Sequence, residues 1–179
     1  QFFANSLAAA TASIVSNAPL VKKVYFPREV LPISAVLSNL VFFLNALILL
    51  FALLLLFGIR LTLWALFLPV IIVIQLIFST GLGMVVSTLN VFYRDTEHIV
   101  GVLTQIWFFL TPVFYSADTI PRSYTILGIT LDIWQLIHLL NPMAALISLY
   151  RLILYQGMAP APGLLLRTSA IALVFLIIG

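Results

Sequence analysis

The chain has 179 residues, 64% of them hydrophobic and 7% charged, against the roughly 25% charged content of an ordinary soluble domain, so a water-soluble core is the wrong frame. A formal charge of +3, scattered along the sequence, is too small for a nucleic-acid surface, and the chain reads as one membrane domain over residues 1–179. With no cysteine there is no disulfide framework, no thiol nucleophile and no cysteine-ligated metal.

The first apolar segment, residues 2–21, carries no charge and sets Ala4, Ala8, Ala12 and Ser16 at successive i+4 positions. Such a smooth stripe lets a neighbouring helix approach closely, which predicts an inner helix packed through it. A short basic and aromatic junction follows: Lys22, Lys23, Tyr25, Phe26, Arg28 and Glu29, with Pro27 and Pro32 fixing the path of the chain. On residue type alone this is either a headgroup anchor or a docking surface for a partner.

From residue 31 to residue 115 the fully charged side chains fall in two places only, Arg60 and the cluster Arg94, Asp95 and Glu97. They leave apolar runs over 31–57, 61–89 and 99–115, each close to the ~17–25 residues that carry an α-helix across a ~30 Å hydrocarbon layer. Runs this continuous exclude the alternation of a barrel strand, so the spans are helices. Asp95 is expected to cap the helix that begins near Thr96, with Glu97 in its first turn where the dipole favours a negative charge.

Between residues 116 and 163 Pro, Gly, Asp, Asn and Arg interrupt the hydrophobicity, and no full crossing fits. Asn141 before Pro142 is a helix-start signal, and a helix from there to about Tyr155, stopped by Gly157, is some 21 Å long at ~1.5 Å per residue. That is too short to cross and suits a re-entrant or surface-embedded element capping one end of the bundle, with Ser148, Arg151 and Tyr155 on one face. Residues 164–179 form a last span, with Arg167 near enough to its start to snorkel. The predicted fold is therefore all-α and polytopic, with about five transmembrane helices. The chain opens at Gln1 without Met or a basic leader and ends inside an apolar run, which reads as a segment of a longer protein.

No phosphate loop, His-Glu-x-x-His or Gly-x-Ser-x-Gly motif occurs, so neither catalytic residues nor cofactors are assigned to this chain. Glu97 and His98 are adjacent, point in different directions from a helix start, and are too few for a metal site. The central spans hold no Asp, Glu, Lys, Arg or His, whereas ion-coupled transporters keep such a residue there, so any transport takes its energy from elsewhere. Basic residues balance between the two sides; weighting short loops next to spans puts the Lys22 side, with Arg94, in the cytoplasm and residues 116–163 outside.

Four junctions taken together carry a resemblance. Val21-Lys-Lys-Val-Tyr-Phe-Pro-Arg-Glu29 ahead of a span, Leu89-Asn-Val-Phe-Tyr-Arg-Asp95 between spans, Thr111-Pro-Val-Phe-Tyr115 closing one, and Leu140-Asn-Pro-Met143 followed by Arg151 resemble the type 2 ATP-binding-cassette export permeases. The pattern is similar to the branch that exports polysaccharides and polyol phosphates, such as O-antigen, capsule and teichoic acid chains. The resemblance implies six transmembrane helices per subunit, with an amphipathic N-terminal helix, a first span and a C-terminal tail lying outside this sequence. It also implies a multi-pass protein of the bacterial cytoplasmic membrane, a homodimer with a channel between its subunits, and two separate nucleotide-binding ATPase subunits that hold ATP and Mg. The cargo implied is a lipid-linked glycan or polyol phosphate polymer.

By the same resemblance Lys22, Lys23, Tyr25, Phe26, Arg28 and Glu29 would form a short cytoplasmic coupling helix seated in the ATPase, and Asn141, Pro142, Arg151 and Tyr155 would belong to re-entrant extracellular gate helices. Three polar stripes lie inside the spans. Gln75, Ser79, Gly83 and Ser87, and likewise Ser34, Ser38 and Asn45, read as helix-packing glue. Thr104, Phe108, Thr111 and Tyr115 add aromatic rings to hydroxyls, a combination suited to passing sugar rings, and are the expected channel lining; Trp107, on another side, packs or faces lipid. The competing readings are an exporter of the same fold for a drug or small lipid, distinguished by its operon neighbours, and a non-transporting membrane scaffold subunit, which would need no ATPase.

Overall fold

The computed structural model describes residues 1–58, 62–111, 124–126, 129–131 and 141–179. Helix α1 (Phe2–Ser16) is followed after Asn17 by the single short helix α2 (Ala18–Lys23). The predicted first span is thus broken, and the cause is Pro19, whose ring would clash with the carbonyl four residues back if α1 continued through it. The expected coupling helix is also shorter than anticipated. It ends at Lys23, Val24 is extended, and Tyr25, Phe26 and Pro27 lie outside any helix, consistent with the extended bias that a proline places on the residue before it.

Helix α3 (Val30–Leu56) tolerates Pro32 in its first turn, where the missing N–H costs little. A 3₁₀ turn over Leu63–Phe67 leads into α4 (Leu68–Phe92), with Pro69 at the α-helical start. Helix α5 (Thr96–Leu110) begins where the sequence put it, although Asp95 makes no side-chain cap bond. It stops at Leu110, five residues before the predicted end, because Thr111 turns extended ahead of Pro112. Strands β1 (Tyr124–Ile126) and β2 (Ile129–Leu131) pair antiparallel with Thr125 opposite Thr130, a hairpin that the reading of residues 116–163 did not foresee. Helix α6 (Pro142–Leu154) and helix α7 (Pro162–Ile178) complete the described elements.

Val30–Leu56 and the continuous Leu63–Phe92 segment, of 27 and 30 residues, are long and apolar enough to cross a membrane. Helices α1, α6 and α7 are shorter apolar helices. The two long apolar helices and the largely helical fold suit a membrane protein.

Helix α4 is the axis of the bundle and touches α1, α3, α5, α6 and α7. Phe3 stacks on Phe78 at 5.5 Å, and Asn90 Nδ2 donates to the Thr11 carbonyl at 3.0 Å, so α1 and α4 run parallel. Phe2 meets Phe43 while Ala10 meets Val36, so α3 runs against both. The interior is built from Phe3, Leu7, Ile74, Phe78, Leu146 and Leu149, with Phe175 edge-on to Phe78 at 5.4 Å.

The packed face of α1 is not the expected one. Phe3, Ser6, Leu7, Ala10 and Thr11 are buried, whereas Ala8 and Ser16 are exposed and Ala4 and Ala12 only half-buried. Large side chains gain more dispersion contact in the interior than methyl groups do, and the close approach is supplied instead by glycine on α4. A Cβ on Gly83 would stand 3.0 Å from the Ala10 methyl, and one on Gly81 only 2.5 Å from the backbone of Leu176. The Gln75, Ser79, Gly83 and Ser87 stripe is buried as read. Ser34, Ser38 and Asn45 are exposed, and the serine hydroxyls donate to the carbonyls of Leu31 and Ser34.

Candidate functional site

Two polar regions lie at opposite ends of the bundle. At the first, the end of α1, the start of α3, the end of α4 and Gly179 after α7 border a cleft of about 530 Å³. Lys22, Arg28, Glu29 and Arg94 line it together with Ile14, Val15, Met84, Val91 and Phe92. The antiparallel course of α3 against α1 and α4 makes this inevitable, since each charged residue flanks an apolar helix at the same end. Lys23, Tyr25 and Phe26 do not line the cleft; Lys23 and Tyr25 are exposed and Phe26 is half-buried. The six residues expected to meet an ATPase therefore divide, three into the cleft and three outside it.

At the opposite end, Asn141 joins two helices. Its Oδ1 accepts from the Ala144 N–H at 3.1 Å, which is the helix cap foreseen from the Asn-Pro pair, and also from the Trp107 indole N–H. Its Nδ2 donates to the Thr111 hydroxyl at 2.8 Å, and that hydroxyl donates to the Trp107 carbonyl at 2.7 Å. The cap of α6 is thereby locked onto the end of α5. Asn141 is 1% exposed, so these bonds form away from water, where an unpaired amide is costly. Pro142 is buried beside it, Arg151 is half-buried in the last turn of α6 where a cation suits the helix dipole, and Tyr155 is exposed just beyond. A second buried bond ties α6 to α4, from the Tyr150 hydroxyl to Gln75 Oε1 at 2.7 Å.

The described residues expected to line a channel differ in exposure. Thr111 is 4% exposed and held in the Asn141 network, while Thr104 is half-buried and donates to the Val100 carbonyl. Phe108 is 42% exposed and meets Phe109 edge-on at 5.7 Å. Tyr115, like Arg60 and Arg122, lies outside the described residues. Trp107 belongs to the interior, with its ring 6.0 Å from Phe3. Sequence reasoning missed its role because a bond between residues 34 apart leaves no local signal. Among the described residues no group of three or more His, Asp or Glu side chains is placed to hold a metal.

Residues 2–155, most of the chain, match the ABC-2 type transporter family. The chain belongs to that family. It is 33% identical over 158 residues to an O-antigen export system permease protein RfbA of Klebsiella pneumoniae, covering 88% of this chain and 57% of that protein. It is 34% identical over 175 residues to the protein of the same name from Myxococcus xanthus, covering 98% of this chain and 64% of that one. The ABC-2 chain described here thus spans about three fifths of the length of the curated relatives it matches. The relatives are permeases by name, which agrees with a chain in which no hydrolytic motif was found.

Proposed function

We propose that this chain is the core of the membrane subunit of an ATP-driven exporter that moves a lipid-linked polysaccharide or polyol phosphate polymer across the bacterial cytoplasmic membrane. The observation that carries the reading is the identity of about a third, sustained over 88–98% of the chain, to proteins named O-antigen export permeases. Two copies form the channel, two nucleotide-binding subunits hold ATP and Mg, and this chain contributes five of six crossings per subunit. The cleft end faces the cytoplasm, and Lys22, Lys23, Tyr25, Phe26, Arg28 and Glu29 meet the ATPase there. Asn141, Pro142, Arg151 and Tyr155 form part of the outer gate. Thr104, Phe108, Thr111 and Tyr115 border the path of the polymer, and Phe108 offers exposed ring surface.

A contiguous route supports coupling between the two ends. Helix α2 joins α1 through Asn17, α1 runs as one rod to Phe3, Phe3 touches Trp107, and Trp107 donates to Asn141 at the head of α6. Motion imposed on the Lys22 end would reach the gate helix through packed side chains rather than through a flexible loop.

Arg28→Ala combined with Glu29→Ala should leave the subunit inserted but weaken its association with the ATPase by about 2 kcal/mol, roughly thirtyfold, as loss of anchor contacts does. Surface polymer, measured in a deletion strain and normalised to permease abundance, should fall with it, and should fall with Phe108→Ala while ATPase association stays intact. Full export and unchanged ATPase binding in the double variant would return the segment to a headgroup anchor. Orientation is tested separately: single cysteines at Lys23 and Arg122 should label from opposite sides, Lys23 from the cytoplasm. Labelling of both from outside intact cells would reverse this assignment.

A further inference from the structure

We propose that Ser6 on α1 and Ser79 on α4 together hold an ordered water molecule buried in the seam between the two helices. Both serines are 0% exposed, and neither hydroxyl has a hydrogen-bond partner among the described residues. Other buried hydroxyls of the same two helices behave differently: Thr11, Ser13 and Ser87 each donate to a carbonyl three or four residues back in their own helix. A hydroxyl enclosed without a partner gives up the hydration it had in the unfolded chain and gains nothing in exchange, so two such groups on facing helices call for a third that serves both.

The register of the helices brings the two hydroxyls to one place. Ala10 lies against Gly83, where an added Cβ would stand 3.0 Å from the alanine methyl. Ser6 is one turn before Ala10, Ser79 is one turn before Gly83, and the helices run parallel, so the serines face each other one turn below that contact. Phe3 stacked on Phe78 at 5.5 Å closes the seam beneath them. The serines are thus enclosed between an aromatic pair and a glycine–alanine contact, yet they do not bond to each other. A water between them accepts from one hydroxyl and donates to the other, and the carbonyls of Phe2 and Gln75, one turn back on the same faces, offer the third bond that a buried water ordinarily makes. Two neutral hydroxyls are too few oxygens for a divalent cation, which takes six or so. The inference follows from the packing of α1 on α4 alone and does not depend on the cargo or on the ATPase. A bridging water joins the two helices nearly as well as a direct bond would.

The test combines unfolding midpoints of the full-length subunit in detergent with a wild-type structure at a resolution that shows ordered water. Ser6→Ala and Ser79→Ala should each lower the midpoint by about 2–4 °C, the shift made by losing one buried hydrogen bond from a chain of this size. The double variant should fall no further than the worse single, because the second substitution removes a group whose water has already gone. Ser13→Ala, whose hydroxyl bonds within α1, should instead add independently to Ser79→Ala. Ser6→Val with Ser79→Ala should recover part of the loss, since a valine methyl takes the volume of the water; in a dry seam it would overpack and lower the midpoint further. Density for a solvent oxygen within hydrogen-bond distance of both Ser6 Oγ and Ser79 Oγ would support the site directly. A higher midpoint on removing either serine would mean hydroxyls with no partner at all, and strict additivity of the two would mean separate bonds within each helix. A direct bond between the hydroxyls, or a further fall with Ser6→Val, would leave no place for water. Each of these results overturns the assignment.

Discussion

Asn141→Leu should destabilise the protein by about 2–4 kcal/mol, read as a fall in the unfolding midpoint of the full-length subunit in detergent or nanodiscs. Leucine is branched like asparagine and larger, so no cavity opens and the loss comes from hydrogen bonds, with any overpacking adding to it. Removing the cap of α6 costs about 0.5–2 kcal/mol. Leaving the half-buried Trp107 indole N–H without an acceptor costs up to about 1–3 kcal/mol. Single interhelical bonds inside membranes average only ~0.6 kcal/mol, because the unfolded helices find other partners in the bilayer. That places the sum toward the lower half of the range. Trp107→Phe keeps a ring against Phe3 and removes one bond, so it should cost about 1 kcal/mol. The double variant should then be less damaging than the sum of the two, by a coupling energy of about 0.5–1 kcal/mol. Strict additivity would mean that the cap on α6, and not the join to α5, is what Asn141 provides.

The ends of the helices were legible because their signals are local. Asn141 with Pro142 fixed the start of α6 and Gly157, at φ 62°, marks the chain turning away beyond it. The charges at Lys22–Glu29 and Arg94–Glu97 bounded α3 and α4 to within a few residues. Which face of each helix is buried was not legible. In a soluble helix the polar stripe marks the outside, but lipid is as apolar as leucine, and the contrast disappears. So the alanines of α1 read as a packing stripe, although Phe3 and Leu7 are buried while Ala8 is exposed and Ala4 half-buried. The serines of α3 misled in the same way, their hydroxyls being satisfied within their own helix. Trp107 and Asn141 each carried a visible polar group, yet only the fold could pair them. The hairpin does carry a local signal: Tyr-Thr-Ile and Ile-Thr-Leu, rich in β-formers, flank Leu127 and Gly128 in the sequence. The candidate site follows the same division. The cationic cleft was implicit in charges known to share one side, but its apolar walls depend on α1 and α4 running parallel.

That parallel core depends on glycine at two places, and Gly81 is the more demanding. A methyl group there would stand 2.5 Å from Leu176 N and Phe175 C and 2.6 Å from the Phe175 carbonyl oxygen, all backbone atoms of α7 that no rotamer change can move aside. Gly81→Ala should therefore push α7 away from α4 and cost about 1–3 kcal/mol in overpacking. The gain in helix propensity, about 1 kcal/mol for glycine to alanine, offsets only part of this. Gly81→Leu should exceed it and abolish the Phe78 to Phe175 edge contact. At Gly83 the Ala10 methyl lies 3.0 Å from the added atom, a smaller conflict that a slight shift of α1 relieves. Gly101→Ala in α5 meets nothing within 4 Å and should gain the propensity term without a clash. The unfolding midpoints should then rank Gly101→Ala highest, followed by wild type, Gly83→Ala, Gly81→Ala and Gly81→Leu. A Gly81→Ala subunit as stable as Gly101→Ala would mean that α7 does not ride against α4 at this distance in the membrane.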